Sequence, residues 1–206
     1  MKLVCKAVIK AKENANRMVI TFLFFFAINH QGVSASHEMA ERDLPYVDKY
    51  KGRITSAGQK HGVDPAVLGG IISRESRGGT GLVNSSGDNG NAHGLMQVDK
   101  RCHSPKGACG SQEHIDQGAQ ILVGSYSDVE KKYPHWTKEQ KLKGALAAYN
   151  MGAGSISSYE QVDAKTTGGD YSNDVAARAQ YFKKHVCQSK ERELHPLFLS
   201  SATNSY

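Results

Sequence analysis

The stretch DPAVLGGIISRES, residues 64–76, governs how the rest of the chain is read. Asp64 followed by Pro65 is a helix start: a short acidic side chain accepts from the first free backbone N–H groups, and proline suits the first helical position, where its missing N–H has no partner anyway. Val67, Leu68, Ile71 and Ile72 then fall on one face at helical spacing. Seven residues on from Leu68, four from Ile71 and three from Ile72 is Glu75, so the apolar stripe ends in a carboxylate. Burial disfavours the charged form of such a group. The negative end of the helix dipole disfavours it again. A carboxylic acid held partly protonated near neutral pH is what general-acid catalysis needs. The bland alternative is a Glu75 that pairs with Arg74 or Arg77, or bends out to solvent, and helical spacing alone does not separate the two.

Outward from this helix the chain reads as helical on both sides. Before it, Val47, Tyr50, Ile54 and Ala57 recur at three- and four-residue steps until Gly62, a natural stop. Residues 36–43 also read as helix, with Ser36 as its cap, and Pro45 kinks or splits the two pieces. After it, residues 79–94 are rich in Gly, Asn and Ser and predict turns with short irregular strands. Beyond Ser111 the cleanest stripe in the chain runs Ile115, Ala119, Leu122, Tyr126, Val129, Tyr133 and stops at Pro134. Thr137 and Gln140 form a capping-box pair for a further helix that buries Leu142, Ala145, Leu146 and Tyr149 and ends at the glycine-rich NMGAG, residues 150–154. A last helix over 173–186 buries Val175, Ala179, Phe182 and Val186. The expected fold class is α+β, predominantly α: one helical domain over 36–187 with a small irregular β region beside a cleft.

Two further carboxylates follow Glu75 on turn-forming chain, Asp88 in SGDNG and Asp99 at the end of GLMQVD. One raised acid facing one or two ionised carboxylates is the arrangement that hydrolyses glycosidic bonds. Taken singly these aspartates are weak signals. Asp88 reads as a turn residue, and Asp99 beside Lys100 and Arg101 as half of a surface ion pair.

The stretches IISRES (71–76), HGLMQVDKR (93–101), LKGALAAYNMGAG (142–154) and DYSNDVAARAQYF (170–182) together resemble the goose-type lysozymes, glycoside hydrolase family 23, in order as well as in composition. The resemblance covers about residues 32–186 and is nearest to cysteine-poor fish members. The Glu-Ser then Gly-Leu-Met-Gln pattern is shared with bacterial lytic transglycosylases, whereas the VDKR and AYNMGAG contexts point to the goose-type branch. The resemblance implies an inverting muramidase that cleaves the β-1,4 bond between N-acetylmuramic acid and N-acetylglucosamine in peptidoglycan. It puts Glu75 in the place of the general acid, and Asp88 and Asp99 in the places of carboxylates that position or activate water. His103, Tyr149, Asn150 and Tyr171 fall where the family lines its sugar cleft; for Tyr149, core packing beside Leu142 and Leu146 is the competing reading. A transglycosylase works with the glutamate alone, so retention of both aspartates favours hydrolysis. A non-catalytic wall-binding protein would need a disabled site, and the sequence shows none. Gln31 and Gly62 stand where bird members would carry cysteines, which implies stability from packing alone. No cofactor or metal is implied, and a monomer is expected.

Composition agrees with this reading. The 206 residues carry 26 Lys+Arg against 20 Asp+Glu, a net +6. Residues 1–31 hold +4 of that and 188–206 none, leaving only +2 for 32–187, too little for a nucleic-acid-binding signal. The apolar run MVITFLFFFAI, residues 18–28, is too short to span a bilayer and fits a secretory leader over 1–35 with small residues before a cut at Ala35. Export from the cell follows from that leader. Residues 188–206 read as a loose tail. Cys5 leaves with the leader; Cys102 and Cys109 are spaced to bridge a short loop, and Cys102, His103, Cys109 and His114 match no standard zinc spacing. Asn84-Ser85-Ser86 is a glycosylation sequon, and His37-Glu38 lacks the second histidine of a metalloprotease helix.

Overall fold

The structure, a computed structural model, describes the backbone of residues 30–194 and the side chains of 32–185. The expected leader's apolar run and residues 195–206 lie outside the described residues. Among the described residues six α-helices and one small sheet follow in the order α1 (His30–Val47), α2 (Lys51–His61), α3 (Pro65–Ser76), β1 (Ser86–Gly87), β2 (Ala92–His93), β3 (Val98–Asp99), α4 (Gln112–Lys132), α5 (Lys138–Met151) and α6 (Tyr171–Leu194). The sheet is antiparallel in the order β1-β2-β3, with Ser86 opposite His93 and Ala92 opposite Asp99.

Local chemistry explains most of the boundaries. Asp64 caps α3 by accepting from the Ala66 N–H at 3.0 Å. Ser111 caps α4, and Thr137 with Gln140 closes the expected capping box on α5. Gly62 ends α2 in the left-handed region. Pro45 lies inside α1. The helix tolerates it for one more turn fragment, then gives way to a 3-10 turn at Asp48–Tyr50, as expected where a missing N–H and a ring clash weaken the preceding turn. Ser36 is not a cap. It sits within α1, where its hydroxyl lies 2.6 Å from Asp174 and 3.0 Å from the Gly32 carbonyl. The expected leader boundary at Ala35 therefore falls inside α1. The last helix also differs: it runs on to Leu194, past the point where a loose tail is expected. Its apolar stripe stops at Val186, but QSKEREL continues with strong helix formers.

Helix α3 occupies the centre and packs on α6, with α1 and α2 also against it. Leu68, Ile71 and Ile72 are fully buried, in one core with Leu95, Met96, Ile115, Leu122, Leu146 and Phe182. A Cβ on Gly70 would stand 2.7 Å from the Val175 carbonyl, so only glycine lets α3 and α6 approach this closely. A second cluster, Val129, Ala147, Ala148, Ile156 and Val162, joins α4 and α5 to the loop that follows α5. Packing is not the only cement. Arg178, 4% exposed, bonds Asp174, Asp43 and Ser73, and so stitches α6 to α1 and α3 through buried charges. Cys102 and Cys109 are separate free thiols.

Candidate active site

Glu75 occupies the last turn of α3, and the helix stops just beyond it because Arg77 turns into the left-handed region at φ 51°. This puts the carboxyl at the negative end of the helix, on the wall of a groove of about 1230 Å³. Asp88, Asp99, His103, Tyr149 and Asn150 line the same groove. The fold thus brings six of the seven expected site residues, drawn from α3, the sheet, the loop after it and the end of α5, to one cleft.

The two kinds of carboxyl sit in contrasting surroundings. Burial pushes Glu75 up to about 7 from an ordinary 4.5, against the opposing pull of the Tyr171 hydroxyl and the Arg74 charge. Asp99 goes the other way: hydrogen bonds from the Arg101 side chain and backbone hold it below the usual carboxylate range. Near neutral pH the groove therefore offers both a proton, on Glu75, and an ionised carboxylate, on Asp99.

Tyr171 is the residue that the fold does not place as expected. It is 1% exposed, so no sugar can stack on its ring. It stands behind Glu75 instead, and its hydroxyl donates to Glu75 Oε1. Arg74 secures that arrangement. Its guanidinium lies 5.6 Å from the Tyr171 ring centre and donates to Asp174 at 2.6 Å, Asp170 at 3.0 Å and the Thr167 carbonyl at 2.9 Å. The start of α6 is thus tied to the helix that carries the acid. Tyr149 combines both of its sequence readings: it packs against the main core, lines the groove, and donates to the Met96 carbonyl at 2.8 Å. Asn150 accepts the Thr167 N–H at 2.9 Å through Oδ1, which leaves its amide hydrogens for a ligand.

The backbone around the two aspartates is unusual. Asp88, Asn89 and Gln97 all have positive φ, at 46°, 54° and 47°, conformations that cost non-glycine residues on the order of 1 kcal/mol and gather at functional sites. Beneath it lies His114, fully buried, whose Nε2 accepts the Met96 N–H at 3.1 Å. Gly94 is obligatory there, since a Cβ would come within 2.5 Å of that ring. His114 is thereby a structural histidine, and burial lowers it to about 4. Among the described residues no three His, Cys, Asp or Glu gather as a metal-holding cluster.

Arg101 and Gln97 also line the groove, and the sequence reading did not count them as site residues. Arg101 had a legible signal, since it lies two residues past Asp99; Gln97 had none beyond its place in GLMQVD.

A family model described as Lysozyme g matches residues 26–186. This chain belongs to the lysozyme g family. It is 55% identical over 158 residues to Lysozyme G of Dromaius novaehollandiae, covering 77% of this chain and 78% of that one. It is 50% identical over 153 residues to Lysozyme g of Cyprinus carpio, covering 74% and 83%. To Lysozyme g-like protein 2 of Homo sapiens it is 40% identical over 153 residues, covering 74% and 70%. As a member of the lysozyme g family the protein is a glycoside hydrolase with lysozyme activity, and Glu75, Asp88 and Asp99 line one groove of it.

Proposed function

We propose that the protein hydrolyses the β-1,4 bond between N-acetylmuramic acid and N-acetylglucosamine in bacterial peptidoglycan, with inversion at the anomeric carbon. The observation that carries this reading is the juxtaposition in one groove of a carboxyl raised by burial and a carboxylate depressed by an arginine. Tyr171 bonds Glu75 Oε1, which assigns the transferable proton to Oε2. Glu75 donates it to the glycosidic oxygen as the bond to the anomeric carbon breaks. A water held by Asp88 and Asp99 attacks that carbon from the other face and gives its proton to the carboxylate pair. Inversion needs room for this water, which corresponds to about 6.5–9.5 Å between acid and base. His103, Tyr149 and Asn150 contact the sugars: ring faces stack on pyranose, and the Asn150 amide bonds an acetamido carbonyl.

The substrate places the site of action outside the producing cell, as antibacterial defence. We propose residues 1–35 as the export leader of a monomeric enzyme whose catalytic unit is 36–187. Among the described residues no helix is long and apolar enough to cross a membrane.

Product analysis tests the reaction. Purified peptidoglycan incubated with the enzyme should yield new reducing ends, initially as the α-anomer. Anhydro-muramic ends would mean that the substrate's own 6-hydroxyl is the nucleophile, as in transglycosylases, and the absence of any cleavage would leave only wall binding. Glu75→Gln should lower turnover by roughly a factor of 10³ or more while wall binding persists; a lytic Gln variant would show that the acid has been misassigned.

A further inference from the structure

Asp88 and Asp99 stand on separate pieces of backbone, the turn after β1 and the end of β3. One side chain joins them. Arg101 Nε lies 2.9 Å from Asp99 Oδ1 and 3.1 Å from its Oδ2. Nη2 of the same guanidinium lies 2.8 Å from Asp99 Oδ2 and 3.2 Å from Asp88 Oδ2. The Arg101 backbone N–H adds a bond to Asp99 Oδ1 at 2.8 Å.

We propose that Arg101 is a positioning residue for the hydrolysis: its planar fork holds Asp88 and Asp99 as a paired set of carboxylates aimed at one water. The proposal rests on the reading of both aspartates as water-activating groups. Two carboxylates that share a site without a cation repel each other when both are ionised. A guanidinium removes that conflict because it never deprotonates in a protein and because its geometry matches two oxygens at once. Lys100 is no substitute. Its ammonium is turned to the Gly90 carbonyl, 2.7 Å away. The other charged or titratable groups around the pair are His103, whose charge also acts on Asp99, Cys102 beside Arg101, and Glu75 in the same groove. The Arg101 side chain is 63% exposed, and exposed ion pairs contribute little to folding. The consequence of this one therefore lies in the groove that it lines.

The test compares Arg101→Met, Arg101→Lys and Asp99→Asn in the full-length enzyme, by turnover and KM on soluble peptidoglycan fragments, pH profile and thermal unfolding. For Arg101→Met, kcat should fall about 10- to 100-fold with KM nearly unchanged. The acidic limb of its profile should move up by about one pH unit, while the alkaline limb set by Glu75 and the melting temperature stay in place. Arg101→Lys should restore much of the limb, because the charge is kept, but not kcat, because an ammonium lacks the fork. If Asp99→Asn is inactive and Arg101→Met keeps native turnover and an unmoved acidic limb, the positioning role is wrong though the aspartate reading stands. A rise in KM alone would make Arg101 a substrate contact instead. A fully active Asp99→Asn would overturn the aspartate reading and this proposal together.

Discussion

A tyrosine that cannot touch the substrate bears directly on the chemistry. The Tyr171 hydroxyl donates to Glu75 Oε1 from the buried side, and its bond opposes the rise that burial imposes on that carboxyl. Removing it in Tyr171→Phe takes away a stabiliser of the ionised form. The Glu75 midpoint should then rise from about 7, carrying the alkaline limb of kcat upward by about half to one pH unit. Turnover at the optimum should fall about tenfold, because Oε1 is no longer fixed and the proton-bearing oxygen loses its aim. A pH–rate profile in which the alkaline limb stays where it was would dissociate Tyr171 from the acid. At this scale the sequence was partly legible. Glu75 stood out because a carboxylate on an apolar stripe breaks a pattern. Tyr171 did not, because an aromatic residue at a helix start looks the same whether it faces a groove or the back of an acid 96 residues earlier in the chain. For Asp99 the surface ion pair and the catalytic carboxylate were rival readings that do not exclude each other: the residue is paired with Arg101 and also lines the groove.

Among the elements, the helices were readable one by one and the sheet only as a small irregular β region, for a physical reason. Each helix is long enough for its stripe to repeat, and α4 follows Ile115, Ala119, Leu122 and Val129 to full burial. Each strand has two residues, too few for any alternation to show. What residues 79–94 did announce was their turn chemistry. Val83 and Ser86 exchange two backbone bonds, at 3.3 and 3.0 Å, around Asn84 and Ser85 with φ of 49° and 62°. Two central residues with positive φ make a type I′ hairpin turn, for which Asn-Gly is the preferred pair. Serine at the second position is strained, since its Cβ crowds the backbone in that region. Ser85→Gly should therefore stabilise the protein by about 0.5–1 kcal/mol despite glycine's greater freedom when unfolded, raising Tm by about 1–4 °C. Lysis should be unaltered, because Ser85 lies on the far side of β1 from the groove-lining Asp88 and gives the fold its carbonyl, an acceptor for the Gly94 N–H at 2.9 Å. A lower melting temperature would show that the serine hydroxyl contributes more than its backbone costs.

For the molecule as a whole, two buried groups link stability to pH in opposite directions. Glu75 has a folded value near 7 against an ordinary 4.5. Between those values the folded state holds the extra proton, so stability is lost as pH rises. His114 has a folded value near 4 against an ordinary 6.5. There the unfolded state holds the extra proton, so stability is gained as pH rises. Each contributes a slope of about 1.4 kcal/mol per pH unit, and over most of the interval between 4.5 and 6.5 the two cancel. Depressed carboxyls such as Asp99 and Asp174 act lower, below their ordinary 3.8, while a lowered His37 adds to the His114 effect. The native enzyme should therefore show a nearly flat unfolding free energy across that interval and a decline only as Glu75 finishes ionising. Glu75→Gln removes one of the two slopes. Its stability should match the native protein near pH 4 and climb above it with pH, to an excess of about 3 kcal/mol once pH exceeds 8. Urea unfolding of both proteins between pH 4 and 9 measures this difference. Parallel curves would mean that Glu75 ionises at the same pH in the folded and unfolded chains. The enzyme would then have no neutral acid to offer at the pH where it works, since the cost that the alkaline arm measures is the one that keeps the proton on Glu75 until a glycosidic oxygen takes it.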